Sequence, residues 1–347
     1  MNMLEGYRKG INLGGWISQY RRYLMHERHF DDFITLRDIE RIAQWGFDHV
    51  RLPFDYDILE DDSKPGIYSE KGFSYIDCCL EWCERCGLNV VLDFHLAPDQ
   101  NIYPPSNPNL LFRGTSGGRR YHALWQTLAR RYKNIGNRLI FDILNEAIDP
   151  NSFYWNEFYP KTVGIIRRED TKRPILVGGI DYNSVYALRE LKLLDDPLVA
   201  YSFHYYEPFQ FTHQHAPWCA DIMPYKDDLY FPGDFGKLRN FLDEHPEFSR
   251  RFGMFVWKYN DESLLEELLL DAIQFKQDTG RELYCGEFGV INAAPSEDKR
   301  RYLEALVDLF GKHDIPHACW NYKECDFGLV NYQGELCDEL LPFILTK

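Results

Sequence analysis

Eight short apolar runs punctuate the chain. They are GINLG (10–14), HVRLPF (49–54), NVVLDFH (89–95), LIFDILNE (139–146), PILVGG (174–179), LVAYSFHYY (198–206), ELYCGEFG (282–289) and HACWNY (317–322). Several are nearly continuous in apolar residues, as strands buried on both faces should be. Between them the apolar period lengthens to that of a helix. Leu36, Ile39, Ile42 and Ala43 follow Thr35 as a candidate N-cap. Leu264, Leu265, Leu268, Leu269, Ala272 and Ile273 make a wide stripe, and Leu303, Leu306, Val307 and Phe310 make another. Weaker helical patterns lie near 73–87, 118–134, 155–169, 184–194 and 335–345.

Eight strands alternating with eight helices predict an α/β protein built as a (β/α)8 TIM barrel. The competing arrangement is an open doubly wound sheet, which ordinarily carries a Gly-rich phosphate turn after its first strand. GINLGGW has the glycines without the G-x-G-x-x-G spacing. No linker, charge block or short repeat divides residues 1–347, so a single catalytic domain is expected. A barrel typically takes ~250 residues, and the chain has 347. The surplus falls after strand six. Residues 207–261 are aromatic, contain proline and lack periodicity, the pattern of an inserted subdomain between strand six and helix six.

Composition narrows the function. At 45% hydrophobic residues the chain can bury a sizeable core. A net charge of −15 disfavours nucleic acid and anionic membrane as partners. No run reaches the ~20 apolar residues of a membrane span. The first ten residues, MNMLEGYRKG, show no signal-type segment, which favours the cytoplasm unless a signal has been removed. Nine cysteines, mostly within helical or strand patterns, suggest reduced thiols. Cys83 and Cys86 form C-x-x-C, but Cys79, Cys83 and Cys86 share a helical face and read better as small packing residues.

In a barrel, chemistry gathers where strands end and βα loops begin. Those ends carry Arg51, His95, Asn145 with Glu146, His204 with Tyr206, Glu287, and Trp320. Six of eight strands thus aim a polar or aromatic group at one rim. Two carboxyls in different environments can protonate a leaving oxygen and attack or hydrate a sugar carbon, the needs of glycoside hydrolysis. A tryptophan face suits the C–H face of a pyranose. Asp93 and Asp142 fall inside strands and read as buried hydrogen-bonding groups, acting on the site at most through other residues.

Metal chemistry is the rival enzyme reading. Strand one offers no ligand, and His213, His215 and Cys219 in FTHQHAPWC resemble a zinc fragment without completing a four-ligand set. No metal and no cofactor are expected. DFG at 326–328 lacks the other kinase motifs. Trp218, in the irregular HQHAPWCAD shortly after strand six, is the candidate sugar-stacking residue of the insertion. Its companions there, Phe209, Phe211, Tyr225, Tyr230, Phe231, Trp257 and Tyr259, read as subdomain core.

The ordered set Arg51, His95, Asn145–Glu146, His204-x-Tyr206, Glu287 and Trp320 resembles family 5 of the glycoside hydrolases. The likeness runs from KGINLGGWISQY through FDHVRLPFDY, LDFH, LNEA and LYCGEFGVI to CWNYK. It implies a retaining endo-β-glucanase acting on cellulose-type and mixed-linkage β-1,3-1,4-glucans, with a β-glucan polysaccharide or oligosaccharide as its partner, and a monomer. It further implies Glu146 as acid/base, Glu287 as nucleophile and Asn145 on the sugar 2-hydroxyl. Arg51 and Tyr206 would hold Glu287, His95 and His204 would position sugar or catalytic groups, and Trp320 would floor the cleavage subsite. Leu96 and Asp99 depart from the pattern, which puts that loop's sugar contacts in question. A mannanase on the same scaffold and a glycan-binding barrel without activity are the alternatives. A polymeric substrate places the enzyme outside the cell, against the missing signal.

Overall fold

The computed structural model describes residues 3–24, 26–102, 107–219, 224–248 and 259–347. Eight strands are β1 (Lys9–Asn12), β2 (His49–Asp55), β3 (Asn89–Leu96), β4 (Leu139–Asp142), β5 (Ile175–Gly178), β6 (Val199–Tyr205), β7 (Leu283–Phe288) and β8 (His317–Cys319). All pair in parallel and close into one barrel, with β1 hydrogen-bonded to both β2 and β8. The expected barrel is therefore the observed one, and closure leaves no strand edge open.

Helices pack outside. They are α1 (Leu36–Gln44), α2 (Glu70–Cys86), α3 (Ser116–Tyr132), α4 (Phe153–Glu169), α5 (Gly236–Glu244), α6 (Glu262–Thr279), α7 (Ser296–Lys312) and the short α8 (Leu341–Leu345). Local chemistry sets several ends. Ser69 accepts from the Gly72 N–H at the start of α2, and Gly87, at φ 75°, ends it. Asp261 accepts from the Leu264 N–H to start α6, and Gly280 ends it at φ 63°.

Two expected helices are smaller than their patterns suggested. The 184–194 segment forms a 3-10 helix at Val185–Glu190, and helix over 335–345 is confined to Leu341–Leu345. The first follows Asp181, Tyr182 and Asn183, all at positive φ, which turn the chain away from α geometry. Strand four also stops early, at Asp142. Residues beyond it stay extended along their neighbours: Ile143 N–H bonds Leu176 O at 3.2 Å, and Asn145 N–H bonds Phe94 O at 3.0 Å.

The 207–261 connection joins β6 to α6. Its described residues hold a helical turn at Phe209–Thr212, the helix α5 and a two-stranded antiparallel ribbon of Gly233–Asp234 with Tyr259–Asn260. Phe211, Tyr225 and Phe231 are buried, whereas Tyr230 and Tyr259 are exposed, so those two tyrosines are not core. Trp257 lies outside the described residues.

The barrel interior is layered. Its floor is Val91, Ile140, Leu176, Ala200, Tyr284 and Ala318, plugged from below by Met3, Leu4 and Tyr7. Two residues further along their strands, the interior turns polar: Asn12, Arg51, Asp93, Asp142 and Ser202 are all fully buried. Above that layer the mouth opens.

Candidate active site

A cavity of about 320 Å³ sits over the C-terminal strand ends. Its walls include His95, Asn145, Glu146, Tyr206, Trp218, Glu287 and Trp320. Arg51 and His204 lie buried behind that wall, bonded to its carboxylates. The nine residues singled out from the sequence therefore converge on one place, although they come from widely separated segments.

Glu287 reaches the mouth through a register shift. Phe203 is level with Cys285, but His204 is level with Glu287, so Gly286 is the extra residue of a bulge. Phe203 and Cys285 pack in the outer core and Tyr284 in the inner floor. Strict alternation would therefore send Glu287 outward with Cys285. The bulge turns it in. A Cβ on Gly286 would come within 3.2 Å of His204 Nε2 and 3.5 Å of Arg51 Nε, so glycine also leaves room for both partners.

The two glutamates have opposite surroundings. Glu287, with 7% of its side chain exposed, accepts from Arg51 Nη1 at 2.9 Å and from the Tyr206 hydroxyl at 3.0 Å. The two donors fix the direction of its carboxyl. Glu146, 29% exposed, has its Oε1 3.1 Å from His204 Nδ1, at hydrogen-bond distance. Burial pushes the Glu146 carboxyl up to about 7, against the lowering influence of His95 and Arg51. One oxygen of each glutamate and a ring nitrogen of His204 all lie within 4.8 Å of one another.

Burial pushes His204 down to about 4, so its imidazole is neutral near pH 7. His95 is turned by its neighbours: Nδ1 lies 2.8 Å from Asp93 Oδ2 and Nε2 lies 3.0 Å from Gln19 Nε2. Burial opposes charge on His95, but the bonded Asp93 carboxylate more than offsets it, and the net shift is upward. The His95 ring stacks on Trp320, centroids 5.6 Å apart and planes at 12°. Glycine at 14 lets the indole lie there, since a Cβ would meet it at 2.4 Å.

Asn145 accepts from Arg51 Nη2 at 2.8 Å, which fixes the amide and leaves its N–H2 end to the cavity. Trp218 is 49% exposed on the cavity wall, edge-on to His213, whose ring in turn lies 5.0 Å from Tyr206. Asp99 acts locally, its Oδ2 accepting from the Gly117 N–H in the first turn of α3 at 2.9 Å. Leu96 is level with Asp55 in the β2–β3 ladder.

The sequence pattern does not reveal Asn12, Gln19, Arg22, Asp326 and Phe327 as site residues. Asn12 Oδ1 accepts from Arg51 Nη1 at 3.0 Å, and the other four line the cavity. Asn12 ends an apolar strand much as Asn145 does, and that signal could have found it. Arg22 sits on the 3-10 turn Tyr20–Tyr23, and Gln19, Asp326 and Phe327 sit on loops whose fold no local pattern reveals. His213 and His215 go separate ways: His213 Nδ1 faces Thr212 Oγ1 at 3.0 Å, and His215 Nε2 faces Asp228 at 2.9 Å. All nine cysteines are free, with Cys79 and Cys83 buried.

The chain is similar to known proteins along nearly its whole length. The family model for Cellulase (glycosyl hydrolase family 5) matches residues 13–326. Endoglucanase C of Acetivibrio thermocellus is 41% identical over 344 residues, 99% of each chain. Cellodextrinase A of Ruminococcus flavefaciens is 35% identical over 319 residues, 91% of this chain and 85% of its own. Among solved structures, an endoglucanase superposes with a TM-score of 0.78 at 20% identity, over 99% of both chains. Thermotoga maritima Cel5A in complex with cellobiose does so at 0.77 and 22%, over 99% of this chain and 98% of its own. At such identities these two likenesses speak for the fold.

Proposed function

Given that the chain belongs to glycosyl hydrolase family 5 and is an endoglucanase of that family, we propose that it cleaves β-1,4-glucosidic bonds in cellulose-type and mixed-linkage β-1,3-1,4-glucans, with net retention at the anomeric carbon. The observation that carries this reading is the pairing of Glu146 with Glu287. Retaining enzymes hold their carboxyls about 5–5.5 Å apart, and inverting ones roughly 6.5–9.5 Å apart to admit a water. Oxygens within 4.8 Å of each other suit the first geometry.

The reaction follows from the two environments. Glu146, protonated near neutrality, gives its proton to the glycosidic oxygen as that bond breaks. Glu287, held and aimed by Arg51 and Tyr206, attacks the anomeric carbon as a carboxylate and forms a glycosyl ester. Glu146, now a carboxylate, takes a proton from the water that then attacks the ester. The water's oxygen joins the sugar, and Glu287 leaves as the anion. Asn145 offers its amide to the sugar 2-hydroxyl, and Trp320 lies under the ring. His204, neutral, holds Glu146 in place without competing for its proton.

Proton NMR of the first product from a cello-oligosaccharide tests the mechanism. The β-anomer is expected first, and an initial α-anomer overturns retention. Product analysis on carboxymethylcellulose, mixed-linkage β-glucan, laminarin and mannan tests the substrate. Cleavage of the first two is expected, and preferential cleavage of mannan would overturn the glucan reading.

A further inference from the structure

Asp93 and Asp142 are direct register partners on β3 and β4, and neither has any exposure. One cation serves both. Arg51 Nε and Nη2 lie 3.1 and 3.0 Å from Asp142 Oδ2, and Nη2 is also 3.2 Å from Asp93 Oδ1, at ion-pair distance but without a directed hydrogen bond. The same guanidinium holds Glu287 through Nη1. Three carboxyls therefore surround a single buried arginine.

The other groups facing this cluster do not restore balance. β1 contributes the neutral amide of Asn12, and β7 contributes the Tyr284 phenol besides Glu287. His204 on β6 is kept neutral by burial, and Glu146 stands beyond it. Even a charged His95, bonded to Asp93, leaves three carboxylates against two cations, with Arg51, Asp93 and Asp142 wholly buried and only Glu287 and His95 on the cavity wall. Adjacent carboxyls under such conditions hold a proton between them. The hydrogen bonds say where. His95 occupies Asp93 Oδ2 and Arg51 occupies Asp142 Oδ2, while Oδ1 of each aspartate receives no hydrogen bond from the described residues.

We propose that Asp142 is a neutral carboxylic acid in the working enzyme, with its Oδ1–H given to Asp93 Oδ1, so that the pair carries one negative charge and Arg51 keeps its own for Glu287. Burial, with the charges of Asp93 and Glu287, pushes Asp142 above the ordinary carboxylate range, against the opposing pull of Arg51. Asp142 is thus a positioning residue. Its two-fold grip orients the guanidinium, and its neutrality prevents Arg51 from being saturated with negative charge before Glu287 is served. The catalytic consequence rests on Glu287 being the nucleophile, whereas the protonation itself does not.

Two measurements test this. The first is infrared difference spectroscopy at neutral pH in a Glu146→Gln background, which removes the site's other carboxyl pushed up to about 7. A carboxylic-acid C=O band is expected there, and it should vanish on adding Asp142→Asn. Absence of the band overturns the proposal whatever Glu287 does. The second is the acid limb of kcat/KM on an activated aryl cellobioside. Asp142→Ala should lower kcat by about tenfold or more, through loss of Arg51's orientation. Asp142→Asn should recover most of that loss, because its amide reproduces both the acceptor for Arg51 and a donor for Asp93, with the acid limb unmoved. An acid limb shifted down by about one pH unit or more in Asp142→Asn, the mark of a removed negative charge, overturns the proposal. If the band is present but Glu287→Ala leaves the acid limb in place, the protonated pair stands and the nucleophile assignment falls instead.

Discussion

His204 on β6 is the lateral partner of Glu287 on β7, although Phe203, one residue earlier, is the partner of Cys285. That one-residue slip brings the two side chains to the same mouth, where His204 Nδ1 lies 3.7 Å from Glu287 Oε2 and 3.1 Å from Glu146 Oε1. Gly286 makes the slip and leaves the space. Gly286→Ala should therefore press on His204, which would have to give by a few tenths of an ångström, and lower kcat by about tenfold. KM should change little, and the barrel should keep its circular dichroism spectrum. Unchanged kcat would mean that the neighbours give way freely.

The glutamates differ in which substrates need them. Glu146→Ala should cripple substrates with poor leaving groups far more than activated aryl glycosides, which depart with little protonation. Glu287→Ala should abolish turnover of both, because no covalent intermediate can form. Steady-state kinetics on cellotetraose and on a dinitrophenyl cellobioside separate the two. Near-normal turnover of the aryl substrate by Glu287→Ala would remove it as nucleophile.

Glu146 also ties stability to pH. Its carboxyl titrates at about 7 in the folded protein against an ordinary value of 4.5. Between these values the folded chain holds a proton that the unfolded chain has released. Stability from this group is thus full below about 4.5 and declines as pH rises to about 7. Glu146→Gln removes the dependence. Its melting temperature relative to the parent enzyme should climb across that window and level off above it. A difference that stays constant with pH would show that Glu146 is not shifted.

Trp218 stands half-exposed on the cavity wall, so its removal should leave the core intact. If it carries a sugar ring, Trp218→Ala should weaken binding by about 1–3 kcal/mol, the scale of aromatic stacking on planar bases. The expected readout is a higher KM, or a lower kcat/KM, on β-1,4-linked and mixed-linkage glucans, with an unchanged melting temperature. Equal kinetics on both substrates would return Trp218 to a structural role beside His213.

The amino-acid sequence by itself determined the barrel and most of the polar and aromatic groups at its rim. Near-continuous apolar strands alternating with helical stripes can bury both faces only in a closed or covered parallel sheet. A polar side chain ending such a strand lands on the shared rim by connectivity alone, which is why Arg51, His95, Asn145, Glu146, His204, Tyr206, Glu287 and Trp320 were legible. Other features depend on lateral register, which no single segment encodes. Alternation along β7 sends Glu287 outward with Cys285, and only pairing with β6 reverses it. The extent of helix after β5 was set by left-handed residues at 181–183 rather than by apolar spacing. Gln19, Arg22 and Asp326 reach the cavity along loops and a 3-10 turn held by contacts hundreds of residues away, such as the 2.6 Å pair between Arg22 and Asp326. The charge state of the site is the most tertiary property of all. Asp93 and Asp142 look like ordinary strand residues until four strands bring the one buried guanidinium of Arg51 against them and Glu287.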